Sequence, residues 1–353
     1  VANHDSHAMF RGLIAGRRHV VHGWLMALRD PRGAVRTNVI ALGVYLLLVS
    51  VLSMACDAGG TEHADSSRRE TLRPTSDVTP AVVNRDMRNC FAIPSACGYP
   101  DQTNTGVPAN IRLISSGSIT ASREGQVIDG MNVTGEVVVA ASNVTIKNSR
   151  VTGGRGAGSA DWVIVIRPGV KNLTVADSEI LTPPGTAQDI ACILNIGDAK
   201  PVIRRVNIHG CSAGVSSGGG SVEDSYFHDM SQMAGLSHNV GIASNGGGGM
   251  TIRRNTVFNQ FSQTAAIAFY QDFSAQSDNL VEDNFVSGGS YCFYGGTGSR
   301  GRTSNIRFVN NRLTRHFFPH CGVFGSIASF SIDDPGNLFV GNYWDDNGET
   351  VTP

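Results

Sequence analysis

The segments NVTIKNSRV (residues 143–151) and MTIRRNTVF (residues 250–258) share one layout: an apolar residue, two polar ones, Ser or Asn, one more residue, and a second apolar residue. Written Φ-x-x-[Ser/Asn]-x-Φ, the pattern recurs from Ile146, Val175, Ile203, Val222, Ile252, Val281, Phe308 and Phe339, with a degenerate ninth copy from Ile128. The starts are spaced 18, 29, 28, 19, 30, 29, 27 and 31 residues apart. A repeat of that length built from short β-branched runs and Gly/Asn/Ser turns cannot bury its own apolar face. It must stack on its neighbours, which predicts a solenoid of strands.

Position four of the repeat forms a Ser/Asn column: Ser149, Ser178, Ser225, Asn255, Asn284, Asn311 and Asn342, broken at Val206. Stacked Ser or Asn at a turn can hydrogen-bond along the ladder while tolerating the tight backbone there. With its coil period, this pattern resembles the right-handed parallel β-helix of the pectate-lyase-like superfamily, in an actinobacterial, secreted lipoprotein form, from about Ile111 onward. The resemblance implies an all-β solenoid of about nine coils. It does not carry over catalytic residues, since the Trp-x-Asp-His signature of calcium-dependent pectate lyases and the Gly-His-Gly of polygalacturonase-like hydrolases are absent. One scaffold hosts many activities.

The 353 residues hold 28 Lys+Arg against 29 Asp+Glu, and 42 Gly. Near-neutral charge removes the attraction that duplex DNA would need, so nucleic acid is not an expected partner. At the N-terminus, six arginines from Arg11 to Arg36 precede the uncharged run Val39 to Ala55, the layout of an export signal. The segment LSMAC, ending at Cys56, resembles a lipoprotein signal with Cys56 as the acylated residue, although Ser53 stands where an aliphatic residue is usual. An uncleaved signal anchor is the alternative. The expected organisation is an export segment over 1–56, a disordered linker over 57–88 rich in Ser, Thr, Glu and Arg, and a β-helix domain with an N-terminal cap over 89–353. Either reading places a monomer outside the cell or on its surface, touching membrane only through its signal or lipid.

Setting Cys56 aside leaves six cysteines, an even number for an oxidising compartment. Cys192 and Cys211 each precede their coil's first Φ by 11 residues, so they share a register on adjacent coils, where strand spacing is within disulfide reach. Cys292 and Cys321 would pair in the same way, and Cys90 and Cys97 would close a small loop capping the N-terminal end. A metal site is the alternative for these thiols. No metal is assigned, and calcium is left open.

Charged pairs follow the first Φ with alternating sign: Arg204/Arg205, Glu223/Asp224, Arg253/Arg254 and Glu282/Asp283. Stacking would set each beside its opposite and fix register. A second column, 14 residues before Φ, holds Asp161, Asp189 and His238, with His209 one place out of register. Two carboxylates on adjacent coils would lie about 5 Å apart, where one holds a proton and the other a charge. That is the equipment of a retaining glycosidase, while turn-capping is the plain alternative for both aspartates. His238, beside Asn239, could remove a proton α to a uronate carboxyl. Asn239, Tyr270, Asp272, Tyr291, Tyr294 and His320 are the candidate sugar contacts, with Tyr291, Tyr294 and His320, beside His316, Phe317 and Phe318, alternatively parts of a C-terminal cap.

These readings favour an exported polysaccharide-binding enzyme, lyase or glycoside hydrolase. A non-catalytic surface adhesion module and an epimerase acting on polymer are the rivals.

Overall fold

Each repeat turns three corners and lays one strand on each of three parallel sheets. The computed structural model describes residues 89–154, 161–185 and 187–353. The export segment 1–56 with Cys56, and the linker 57–88, lie outside the described residues. Sheet one has nine strands, from Val127–Asp129 to Leu338–Val340, and carries the first Φ of each repeat. Sheet two has ten, from Ile114–Ser116 to Tyr343–Trp344, and carries the second Φ. Sheet three has nine, from Ile119–Ala121 to Gly325–Ala328, and closes the coil. The chain is a right-handed parallel β-helix.

All nine matched segments lie in register. The first apolar column runs Ile128, Ile146, Val175, Ile203, Val222, Ile252, Val281, Phe308, Phe339. The second runs Val133, Val151, Ile180, Ile208, Phe227, Val257, Val286, Leu313, Trp344. Both columns face one continuous core, and all but the terminal Phe339 and Trp344 are fully buried. Burying each such side chain contributes roughly 1.5–3 kcal/mol, which is why the pattern dominates the sequence.

The corner between sheets one and two explains the polar letters of the repeat. The residue before the Ser/Asn position is left-handed on every rung, among them Asn148 (φ 48°), Asp177 (φ 48°) and Asp283 (φ 54°). Asn, Asp and Gly accept that conformation most readily. Arg205 and Arg254 also adopt it, and each is held by the left-handed aspartate one rung earlier. Arg205 grips Asp177 at 2.6 and 2.7 Å, and Arg254 grips Asp224 at 2.7 and 3.0 Å. With Arg253 on Glu282 at 2.8 Å, these bonds form the alternating charge ladder.

Behind the corner, the Ser/Asn side chains are wholly buried. Asn284 accepts the Asn255 backbone N–H at 3.0 Å, Asn311 accepts that of Asn284 at 3.0 Å, and Asn342 accepts that of Asn311 at 2.9 Å. Val206 receives the same service from Ser225 but has no acceptor to offer the rung before it.

Three disulfides join the expected partners, Cys90–Cys97, Cys192–Cys211 and Cys292–Cys321, and they fit an oxidising compartment. Two details differ from the sequence expectation. Ala191 pairs with Ala213, so Cys192 is not level with Cys211. The bond instead runs from a sheet-three strand to the turn that leads into the next one. The Cys90–Cys97 loop also does not cap the first coil. Phe91 and Tyr99 seat it on the outer face of sheet two, against Phe258, Phe285 and Phe317 near the other end of the stack. From there the chain runs back along that face, where Gly106 donates to the Arg205 carbonyl, before entering the first coil. Exposed aromatic rings on sheet two are a larger apolar target than the small first rung, and this decides where the loop docks.

Candidate functional site

Long connections leave sheet two and enter sheet three along one edge, and the expected acidic residues stand there. Asp161 immediately precedes strand Trp162–Ile166, and Asp189 lies two residues before Ala191–Asn195. Because Trp162 pairs with Ala191, Asp161 is level with Ile190, and the two carboxylates are offset by one residue on adjacent rungs. Gln188 and Ile190 are buried on either side of Asp189, which turns its side chain outward.

The two carboxyl groups interact. Partial burial first, and the Asp189 charge second, push the Asp161 carboxyl above its ordinary value. Asp189 Oδ1 lies 3.0 Å from the hydroxyl of Ser212, one rung further on, and shares that hydroxyl's single proton with the Ile190 carbonyl at 3.1 Å. The arrangement is one carboxyl biased toward its protonated form, beside a second carboxyl fixed by a hydroxyl donor.

His238 is exposed and precedes strand Val240–Ser244, two rungs beyond Asp189 with the Ser212 rung between. It shares the edge with the aspartates without standing next to them. Asn239 is corrected to a structural role, because its side chain is wholly buried. Its Nδ2 donates to the Ser231 carbonyl at 2.6 Å and its Oδ1 accepts from Gln232 at 3.0 Å, which leaves nothing for a ligand.

Further along sheet three come the aromatic candidates, Tyr291 at the edge where its strand begins and Tyr294 and Tyr270 toward the edge where the strands end. Tyr291 and Tyr294, both half-buried, lie on strand Tyr291–Gly295 with ring centroids 5.7 Å apart. Tyr270 follows strand Ala265–Phe269 and lies 6.0 Å from Tyr294. Its hydroxyl is buried with no hydrogen-bond partner, and burial raises its pKa well above the ordinary phenol value. Tyr270 therefore backs the other rings. Asp272 is exposed beside it, and its charge adds to the shift of Tyr270. His320 is exposed on the turn next to Cys321.

Two groups escaped the sequence reading. Ser212 was hidden because the span from the sheet-three strand to the next Φ ranges from nine residues (Ala213 to Val222) to 17 (Tyr291 to Phe308), so counting back from Φ drifts. The second is a cluster on the outer face of sheet two. Glu179 accepts from Arg150 at 2.5 Å and meets His209 at 3.1 Å, and the His209 ring stacks on His228 at 4.9 Å. His228 in turn meets Asp229 at 2.8 Å and Asn207 at 2.9 Å. Its signal was the residue after the second Φ, which is histidine on two successive rungs. Within the cluster Glu179 has both carboxylate oxygens matched and His228 both ring nitrogens, while Asp229 is exposed and uses one oxygen.

Among the described residues no group of three or more His, Cys, Asp or Glu is placed to hold a metal ion. The chain matches no family model, no curated protein and no solved structure.

Proposed function

We propose that this chain is an exported enzyme of the pectate-lyase-like superfamily that binds a polysaccharide along the sheet-three edge and cleaves it by glycoside hydrolysis. The observation that carries the reading is the Asp161/Asp189 pair on adjacent rungs, with Asp161 biased toward its protonated form and Asp189 held by Ser212. Asp161 gives its proton to the glycosidic oxygen as the bond to the anomeric carbon breaks. Asp189 attacks that carbon from the opposite face and forms a glycosyl ester. Water, deprotonated by the Asp161 carboxylate, then hydrolyses the ester and restores both groups. Adjacent rungs are spaced about 4.8 Å, which suits the short carboxyl separation of a retaining reaction.

The test is release of reducing ends from a panel of polysaccharides by the full chain. Asp161→Asn and Asp189→Asn are each expected to lower the rate by roughly 10²–10⁴-fold. Unsaturated non-reducing ends formed together with the new reducing ends, and lost in His238→Ala, would instead assign a lyase. Glycan binding without turnover would leave an adhesion module. Ser212 acts through Asp189 as a positioning residue, and Ser212→Ala is expected to lower kcat by about 10-fold, the worth of one hydrogen bond to a charged group.

A further inference from the structure

Beyond the carboxylates, sheet three carries aromatic rings that run from its entry edge, at Phe324 and Tyr291, across to Tyr294 and Tyr270 at the ends of the strands. Phe324 stands immediately before strand Gly325–Ala328 and is 58% exposed. Its ring lies 5.9 Å from Tyr291, Tyr291 lies 5.7 Å from Tyr294, and Tyr294 lies 6.0 Å from Tyr270. Four rings thus touch in series over three rungs. Tyr270 and Tyr294 rest on Val240, Ala243, Ala265 and Ala268, all buried, so a floor of small side chains holds the rings near the surface. From the Asp189 rung to the Tyr291 rung is four strand spacings, about 19 Å at roughly 4.8 Å each. That is room for several sugar rings end to end.

Charge along this line is uneven. Asp161 and Asp189 put two carboxyl groups at the reacting end, with one cation near them, Arg167 lying 5.5 Å over the ring of Trp162, and the stretch between them and the rings holds Ser212, His238, Gln263, Thr264 and small apolar residues. At the aromatic end Asp272 and Arg300 both flank Gln271, whose carbonyl accepts from Arg300 Nε at 2.8 Å, and their opposite signs offset each other. A polyuronate would set its own carboxylates against the reacting pair, and like charges brought together cost affinity. An uncharged sugar polymer meets no such penalty, and its C–H faces suit exposed aromatic rings.

We propose that the substrate is an uncharged polysaccharide whose rings stack on Tyr291, Tyr294 and Phe324 while its scissile bond lies at Asp161 and Asp189. This rests on the glycan-cleaving reading and adds the substrate class and the binding platform to it.

The experiment is a fluorescence titration of the full chain, in the cold and at low salt. The probes are hexasaccharides of uncharged sugars (β-glucan, xylan and mannan series) and of uronates (galacturonate and mannuronate). At least one uncharged hexamer is expected to bind 10-fold or more tighter than either uronate. Tyr294→Ala and Tyr291→Ala are each expected to weaken it about 10-fold, whereas Tyr294→Phe, which keeps the ring, retains binding. Uronate binding as tight as that of the uncharged hexamers overturns the inference, as does full binding by both alanine variants when their melting curves match the parent. Reducing-end release, measured separately on the same panel, shows whether the glycan-cleaving reading survives that failure. A panel neither bound nor cleaved removes both.

Discussion

Arg312 Nε donates to Asp345 Oδ1 at 2.6 Å, and both side chains are almost fully buried, at 3% and 2% exposure, on the outer face of sheet two. The Arg312 guanidinium lies over the Phe285 and Tyr343 rings, and Tyr99 of the N-terminal loop packs against Phe285 and reaches the Tyr343 hydroxyl. Burial raises the Asp345 carboxyl, with Arg312 opposing the shift. A buried pair gives little net stability, but removing one partner strands the other. Arg312→Ala is therefore expected to cost about 3–5 kcal/mol, read as a shift of the urea midpoint. The joint replacement Arg312→Met with Asp345→Leu is expected to recover most of that loss. A joint variant as unstable as the single one would mean the pair contributes more than its burial.

Glu179 sets the acid limit of the same face. The hydrogen bond from His209 comes first among the causes that lower its carboxyl, burial opposes it, and Arg150 adds to the lowering. A carboxylate with a depressed folded pKa binds fewer protons folded than unfolded. Its stabilising contribution is thus complete above the ordinary glutamate value and is lost as pH falls through the depressed one. Thermal melts are expected to show stability dropping on acidification below the ordinary glutamate range, and Glu179→Gln is expected to flatten that slope. An unchanged slope would place the acid sensitivity elsewhere.

How much of this could be read in advance depends on how periodic each part is. Ile146, Val175 and the seven residues aligned with them repeat because every rung needs a core residue there, so the fold was legible from the spacing alone. The cysteine partners were legible for the same reason, though Cys211 sits on a turn and its level was misjudged. Ser212 was not, because the connections that carry functional side chains vary in length while the strands do not. The docking of Phe91 and Tyr99 was also out of reach. It is set by one aromatic wall that forms only after Tyr226, Phe258 and Phe285 have stacked.

The asparagine ladder makes a sharper mutational contrast than any core apolar residue. Asn284 accepts from both Asn255 nitrogens and donates to the Ile252 carbonyl and to Asn311. Asn284→Ala leaves buried donors on Asn255 and a buried carbonyl without partners, an expected cost of about 3 kcal/mol. Asn284→Ser is expected to cost less, since Ser149, Ser178 and Ser225 serve the same column. Equal losses for Ala and Ser in chemical denaturation would count against the ladder as the cause.

The two rung-spanning disulfides enclose 19 and 29 residues. In the chain-entropy account, each restricts the unfolded state by about 3–4 kcal/mol, slightly more for the longer loop. Reduction under non-denaturing conditions is expected to be slow, because all four cysteines are buried, at 0–2% exposure. Cys292→Ser with Cys321→Ser is expected to lower the denaturation midpoint at least as much as Cys192→Ser with Cys211→Ser. The reverse order would show native strain, not loop length, in control.

Asp161 and Asp189 offer a test that needs no substrate. Partial burial and the neighbouring charge raise the Asp161 carboxyl, so between the ordinary aspartate value and the raised one the folded protein binds more protons than the unfolded chain. Stability then falls as pH rises through that window, the opposite sign to Glu179. Asp161→Asn is expected to raise the melting temperature above the window and to leave it unchanged below. Asp189→Asn removes one of the two causes and is expected to move the Asp161 carboxyl back toward its ordinary value, followed by carbon-13 titration of labelled aspartates. If the Asp161 resonance titrates identically with and without the Asp189 charge, the two groups are not coupled, and the acid/base pair on which cleavage depends is not there.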